Sequence, residues 1–402
     1  MWSLQSARAR WLELGMIGGL LLAIFCINIR HASFHPDESH WIASSRSFEA
    51  FVGGQWDSPI WRQSYWTLTQ PPVTRYIIGI GRRLGGYQQV NIPWDFRQDD
   101  RANLARGAMP GADLLWWARL PMAILAVVSG IVAFILVRRA AGRIAGYLTL
   151  LLFVANPYFL SNLGRAMGES PLLTATLLAI LCGDQALRRW QPVAAQTVHS
   201  LAAFLRPALW FGAMGLFCGI AGATKLNGFS LLPAGVALCF FMAFAQKGSL
   251  SRSRRLGIFV LTGTPLVFAA GVTFVALNPY LHPDPLGRTI KMMGYRLIEM
   301  KRQHTSFPLQ RVESSPIPRL TLIGARVFGS QTALRFSKSW IINVPLCLLG
   351  FYWLFSVTWG VATGRYGFRN EPCALICLSY LCSSSSVHSI RLGSLLSLPG
   401  IF

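Results

Sequence analysis

The sequence predicts an all-α polytopic membrane protein. Hydrophobic residues make up 53% of the 402 and charged residues only 13%, where soluble domains carry roughly a quarter charged residues. Runs of roughly 17–25 apolar residues, long enough to cross a bilayer as helices, recur along the chain. Helices suit that medium because they satisfy their own backbone polar groups. The remaining Arg and Lys residues fall into loops that alternate in content, which gives the spans a direction.

The elements follow in order. Residues 1–11 form a cytoplasmic N-terminus, and the first span covers about 12–29. Arg8 and Arg10 with this run also fit a signal peptide, but the run is long for one and "RHAS" is a poor small-residue cleavage site. Further spans are expected at about 120–137, 144–160, 171–187, 207–223, 228–245, 256–277 and 340–361. The run from Cys373 to Cys382 is too short to add one. With the N-terminus inside, the inner loops hold Arg138, Arg139 and Arg143, then Arg188, Arg189 and Arg206, then Lys247, Arg252, Arg254 and Arg255, then Arg365 and Arg369. The short outer loops carry one cation each, Arg165 and Lys225. The long loops 31–119 and 278–339 are outer despite their arginines, because long loops cross regardless of charge.

Residues 12–277 therefore read as a transmembrane module that includes the outer loop 31–119. Inside that loop, "PPVTRYIIGIGRRLGGY" is too short and too charged to span, and it is expected to lie on the membrane surface. Seven Trp residues of the loop suit the same boundary. The loop 278–339 opens with turn-rich "NPYLHPDPLGR" and continues as a basic amphipathic helix. The triplet "NPY" ends a span at 156–158 and again at 278–280, as expected where Pro disfavours helical geometry in the residue before it. Residues 362–402 are low in complexity, read as a truncation or an altered frame, and are given no role. No internal repeat is visible.

The net charge of +22 is spread over both faces, and no nucleic-acid motif accompanies it. Anionic head groups are the simpler partner. The eight Cys lie in or beside apolar runs without metal or disulfide spacing, and read as small hydrophobes.

Against this background "FHPDESHW", residues 34–41, stands out. Asp37 and Glu38 are adjacent acids in a chain with 15 acids and 37 Lys plus Arg. Taken alone they read as an acidic helix start after Pro36. His35, Asp37, Glu38 and His40 invite a divalent metal, but the spacing is not that of a zinc helix and adjacent loop residues rarely wrap one ion, so no metal is assigned. Three further stretches lie on the same outer face: "TQPPVTRYIIGIGRRLGG" at 69–86, "ANPYFLSNLGRAMGESPLL" at 155–173, and "GATKLNGFSLLPAG" at 222–235. A lone outer Arg or Lys is otherwise a head-group anchor.

Together these stretches, over about residues 10–300, resemble the GT-C membrane glycosyltransferases, in particular protein O-mannosyltransferases and lipid A aminoarabinose transferases. The acidic pair opening the first outer loop is matched by Asp37-Glu38, and a "HPPL"-like motif by Gln70-Pro71-Pro72-Val73. The Arg with a following acid is matched by Arg165 and Glu169, and a "TK-x-NG"-like element by Thr224 to Gly228. Gln70 departs from the family's His, and the chain ends before the further spans that such enzymes carry.

The resemblance implies a GT-C helical bundle whose large outer first loop carries interfacial helices. It also implies transfer of a sugar from a polyprenyl-phosphate donor to an acceptor hydroxyl on a protein, lipid or glycan, with inversion. Asp37 would be the base, and Glu38 would orient the acceptor or support the sugar. Arg165 and Lys225, backed by Arg75 and Arg288, would hold the lipid phosphate as its charge grows. Glu169 would pair with Arg165 across a helical turn, and Gln70 would support the site. The protein would be an integral multi-pass membrane protein, in the plasma (inner) membrane if bacterial, with the site facing outward. The rival classes are a transporter or lipid flippase, which would place ionisable groups near the midplane or show repeated halves, and a non-catalytic membrane subunit. The spans read as nearly free of buried charge.

Overall fold

The structure is a computed structural model that describes residues 7–195, 201–244 and 251–306. The span expected at 340–361, the short run 373–382 and the segment 362–402 lie outside these residues. Helices dominate: α1 (Ala7–His31), α2 (Pro36–Ser44), α3 (Ser47–Val52), α4 (Tyr65–Thr69), α5 (Val73–Leu84), α6 (Asp100–Ala105), α7 (Ala112–Ala141), α8 (Arg143–Ala155), α9 (Pro157–Gly164), α10 (Glu169–Ala195), α11 (Leu201–Thr224), α12 (Leu231–Phe244), α13 (Arg252–Ala276) and α14 (Pro285–Ser306). Among the described residues six segments are long and apolar enough to cross a membrane: Arg8–His31, Ala112–Ala141, Glu169–Trp190, Phe204–Thr224, Leu226–Phe244 and Arg252–Ala276.

The expected span 144–160 is corrected. It is two helices, α8 and α9, broken at Asn156 with φ −82° and ψ 111°, the extended geometry that Pro imposes on the residue before it. At 1.5 Å per residue the 13 residues of α8 reach about 20 Å, short of a hydrocarbon core.

Two packing units make up the membrane part. In one, α11 and α13 press together, with α7, α10 and α12 around them, through Phe211, Met214, Cys218, Leu266 and Ala270. Small residues permit the close approach: a Cβ at Gly215 would stand 2.1 Å from the Leu266 carbonyl oxygen. In the other, α1 packs on α7, α8 and α9 through Phe25, Ile29, Phe134 and Phe153. The described cysteines, Cys26, Cys182, Cys218 and Cys239, are free thiols.

The expectation that the spans hold almost no buried charge is also corrected. Glu13 is buried and pairs with Arg138 at 2.5 Å, Arg143 at 3.0 Å and the Tyr147 hydroxyl. Asp184 is buried and pairs with Arg139 and Arg188, each at 2.9 Å. At the other end of α7, Arg119 is buried against Glu38. Arg119 and Arg138 are 19 residues apart on one helix, about 28 Å at 1.5 Å per residue. That matches the thickness of a hydrocarbon core. The buried charges thus form two layers, one at each boundary of an apolar slab, and Trp116 and Trp117 sit beside the Arg119 layer.

The outer loop folds over one end of the bundle. Its centre is α5, expected as a helix on the membrane surface and found instead packed inside the outer lobe. Val73, Arg75, Tyr76, Ile78 and Arg82 are buried. Arg82 donates to Ser45 Oγ at 3.1 Å and the Tyr87 carbonyl at 2.6 Å, and pairs with Glu49. The glycines of "IIGIGRRLGG" explain the seating, since a Cβ at Gly81 would lie 2.2 Å from the Trp117 carbonyl oxygen of α7. Amphipathicity was legible there, but its partner is protein.

Candidate active site

The site is built on the start of α2. His35 caps the helix: its Nδ1 accepts the Asp37 N–H at 3.2 Å, while Glu38 Oε2 accepts the His35 N–H at 3.0 Å. The acidic helix start read from the sequence is real. The two acids then diverge. Glu38 is fully buried and forms a bidentate pair with Arg119, Nε to Oε1 and Nη2 to Oε2 both at 2.7 Å. Its Oε1 also accepts the Ala166 N–H at 2.9 Å. Arg119 in turn donates to the carbonyls of Ile29, Ala32 and Ser33 at 2.8–3.2 Å. One carboxylate therefore ties the end of α1, the start of α2, α7 and the segment before α10. Glu38 has no free oxygen for an acceptor.

Asp37 points outward, with its side chain 46% exposed and 3.7 Å from His35 Nδ1. That nitrogen also accepts the Asp37 N–H. Among the described residues the Asp37 carboxylate forms no ion pair with a Lys or Arg. One turn on, His40 stacks between Trp66, at 4.6 Å, and Phe96, at 5.3 Å. Burial pushes its pKa below the ordinary histidine value, with nearby Asp37 opposing. Ser39 anchors the segment that delivers Phe96, donating to the Ala108 carbonyl at 2.7 Å and accepting the Trp94 N–H at 3.0 Å.

The cations arrive from the two other motifs. Arg165 lies between α9 and α10, with Nη1 3.3 Å from Asn162 Oδ1 and Nη2 3.3 Å from Ser33 Oγ, and its Nε buried without a partner. Lys225 follows α11 in an extended conformation and meets Glu169 Oε1 at 2.5 Å. Glu169 is therefore the partner of Lys225, not of Arg165. The expected one-turn pairing fails because Arg165 precedes the first turn of α10, so the two are not on one helix face. Gly168 sits between these groups: a Cβ there would be 2.8 Å from Lys225 Cε and 3.2 Å from Thr74 Oγ1.

Thr74 brings in the start of α5. Its hydroxyl, Arg75 Nε and Glu169 Oε2 are all buried without partners, a concentration that ordinary interiors avoid. Arg75 donates to the Gln70 carbonyl at 2.6 Å. Burial lowers its pKa to about 10, so it stays charged at neutral pH. Gln70 contributes this backbone oxygen. Arg288 is engaged elsewhere: it donates to the Tyr280 carbonyl at 2.6 Å and stacks on the Tyr280 ring at 5.0 Å. Among the described residues no three His, Cys, Asp or Glu side chains converge as metal ligands.

Sequence reasoning missed Arg119, Thr74 and Gly168. For Arg119 a signal existed: it is a single cation inside the apolar run "LLWWARLPMAIL", and an ionisable group in a span demands a partner. For Thr74 and Gly168 none existed, because their proximity to Lys225 is purely tertiary.

Three comparisons bear on this arrangement. The family model described as dolichyl-phosphate-mannose-protein mannosyltransferase matches residues 40–281. No curated protein matches the sequence. Among solved structures, the S. cerevisiae protein O-mannosyltransferase Pmt1-Pmt2 complex bound to the sugar donor is 14% identical with a TM-score of 0.45, covering 67% of this chain and 34% of that one. ArnT from Cupriavidus metallidurans bound to undecaprenyl phosphate is 17% identical with a TM-score of 0.44, covering 96% of this chain and 61% of that one. The chain thus spans between a third and three fifths of the length of these structures. The family match extends over more than half of the chain and reaches from the residue three after Asp37 to the end of the helical turn Pro279–Leu281. This chain belongs to the dolichyl-phosphate-mannose-protein mannosyltransferase family.

Proposed function

We propose that the chain carries the catalytic site of a membrane glycosyltransferase that moves a sugar from a polyprenyl phosphate to an acceptor hydroxyl. The observation that carries this reading is the gathering of an exposed carboxylate, Asp37, with Arg165 and Lys225 around the buried Glu38–Arg119 pair. Family membership supplies the donor class. In the reaction the acceptor oxygen attacks the anomeric carbon as the bond from that carbon to the phosphate oxygen breaks. The hydroxyl proton passes to the Asp37 carboxylate, and the lipid phosphate leaves with the electron pair. A single displacement inverts the anomeric centre.

Lys225, Arg165 and Arg75 compensate the charge that grows on the leaving phosphate. Lys225 is held by Glu169. A phosphate displaces that carboxylate or shares the ammonium with it. Glu38 acts through Arg119 and Ala166, fixing α2 against the Arg165 segment so that base and cations keep their spacing. The site faces away from the cytoplasm. This follows from placing the arginine-rich short loops inside.

The test is incubation of the purified, reconstituted chain with labelled polyprenyl-phosphate sugars and an acceptor extract. Transfer of label that depends on Asp37 supports the proposal. Absence of transfer and of lipid-phosphate binding would reject it.

A further inference from the structure

The α14 helix, Pro285–Ser306, carries a face that nothing in the described protein covers. Leu286, Ile290, Leu297 and Met300 are 44–74% exposed. With half-buried Met293 they fall at intervals of four, three, four and three residues, one continuous stripe on a helix. The opposite side is already used. Met292 is buried in the outer-lobe core with Tyr295 against it, beside Leu68 of α4 and Tyr280. The stripe therefore points away from the described residues.

Its height above the membrane is fixed by the turn before it. The span α13 ends at Ala276, and the chain then doubles back. The His282 ring lies 3.2 Å from the Val275 carbonyl, inside the last turn of α13. Arg288 of α14 donates to the Tyr280 carbonyl at 2.6 Å, and the Tyr76 hydroxyl donates to the Leu277 carbonyl at 3.1 Å. The first turns of α14 are thus held level with the outer end of a membrane span.

Charge selects the occupant. The helix carries Arg288, Lys291, Arg296, Lys301 and Arg302 against the single acid Glu299. Arg296 and Lys301 flank the stripe where a helical pair of like copies would need opposite charges. A second copy would bring like charges together, whereas anionic lipid head groups complement them. We infer that α14 is an interfacial helix that lays this stripe into an anionic bilayer surface. Because Met292 and Tyr295 join it to α4, whose end at Gln70 holds Arg75, the helix ties a cation-bearing part of the outer lobe to head-group level. This inference stands on packing and charge and is independent of the reaction proposed above.

The test uses the full chain in lipid nanodiscs, with a genetically encoded environment-sensitive fluorophore in place of Ile290 or, separately, Leu297. Discs contain phosphatidylcholine alone or with phosphatidylglycerol, and a nitroxide-bearing lipid serves as quencher. The expected result is loss of fluorescence to the lipid nitroxide, shielding from aqueous iodide, and deeper quenching in the phosphatidylglycerol discs. Adding Lys291→Glu and Lys301→Glu should abolish the difference between the two discs. Iodide access at both positions would overturn the inference, as the stripe would face water. Shielding from both quenchers would also overturn it, since protein would then cover the stripe. Equal quenching in both discs would overturn the choice of an anionic surface.

Discussion

Adjacent acids with opposite fates dominate the chemistry at the residue scale. Asp37→Asn keeps the shape and removes the proton acceptor, so turnover should fall about 10²–10⁴-fold, while lipid-phosphate affinity persists because the phosphate is held by other groups. Direct measurement of both quantities on the reconstituted protein checks it. Glu38→Gln should behave differently. It leaves the Arg119 guanidinium buried with its charge uncompensated, and breaking one side of a buried pair costs about 3–5 kcal/mol. The expected outcome is a large drop in melting temperature or loss of folded protein. Arg165→Ala and Lys225→Ala should weaken binding of polyprenyl phosphate as well as turnover, and unchanged affinity in both would return them to head-group anchors. His40 gives a pH signature. Its folded pKa lies below the unfolded value, so its contribution is fully present above about pH 6.5 and is lost as pH falls from there through the lowered folded pKa. His40→Phe, which keeps the stacking with Trp66 and Phe96, should flatten the acid limb of a thermal-stability profile. At this scale Asp37, Arg165 and Lys225 were legible because charge is rare in so apolar a chain. The divergence of Glu38 from Asp37 was not, since only the position of Arg119, 81 residues away, separates them.

Elements were legible wherever one helix alone decides. The long apolar runs became spans because length and hydropathy suffice in a bilayer. The failures lie where a neighbour decides. For α5 the sequence shows a basic amphipathic segment, and whether its apolar side meets lipid or protein depends on α7. Gly81 provides the test. In an isolated helix Gly81→Ala would gain roughly 1 kcal/mol of helix propensity. In this packing the new Cβ would stand 2.2 Å from the Trp117 backbone oxygen, and overpacking against a backbone that cannot swing aside costs about 1–3 kcal/mol. The contact should win, so Gly81→Ala is expected to lower the melting temperature of the purified protein. A rise would mean that α5 is free to move from α7. The α8–α9 break belongs to the same class: Pro157 was read as the end of a span, and it instead stops a helix too short to cross.

For the whole molecule, the two layers of buried charge decide the depth of the helices, and loop composition decides their direction. Glu13 with Arg138 and Arg143, and Asp184 with Arg139 and Arg188, lie at one boundary. Glu38 with Arg119 lies at the other. An ion pair moved to the centre of the hydrocarbon would meet the penalty that charged side chains carry there, about 2.5–3.5 kcal/mol for each by insertion measurements, so the helices are pinned in depth. Short loops rich in Arg are expected on the cytoplasmic side, so the proposed orientation puts the Glu13 and Asp184 layer inward and the Asp37 site outward. Single cysteines make this measurable. At positions such as Gln55 or Arg97 in the outer loop, both exposed, a membrane-impermeant maleimide should label intact cells. At Arg143 or Ser253, beyond the opposite layer and exposed, labelling should require permeabilised cells. Arg143→Cys also removes one partner of Glu13 but leaves Arg138 at 2.5 Å, so the helices should hold their depth. Labelling of position 143 from outside, with protection at 97, would invert the molecule and place Asp37 with the cytoplasm. The lipid-linked donor would then have to be reached from the inner leaflet.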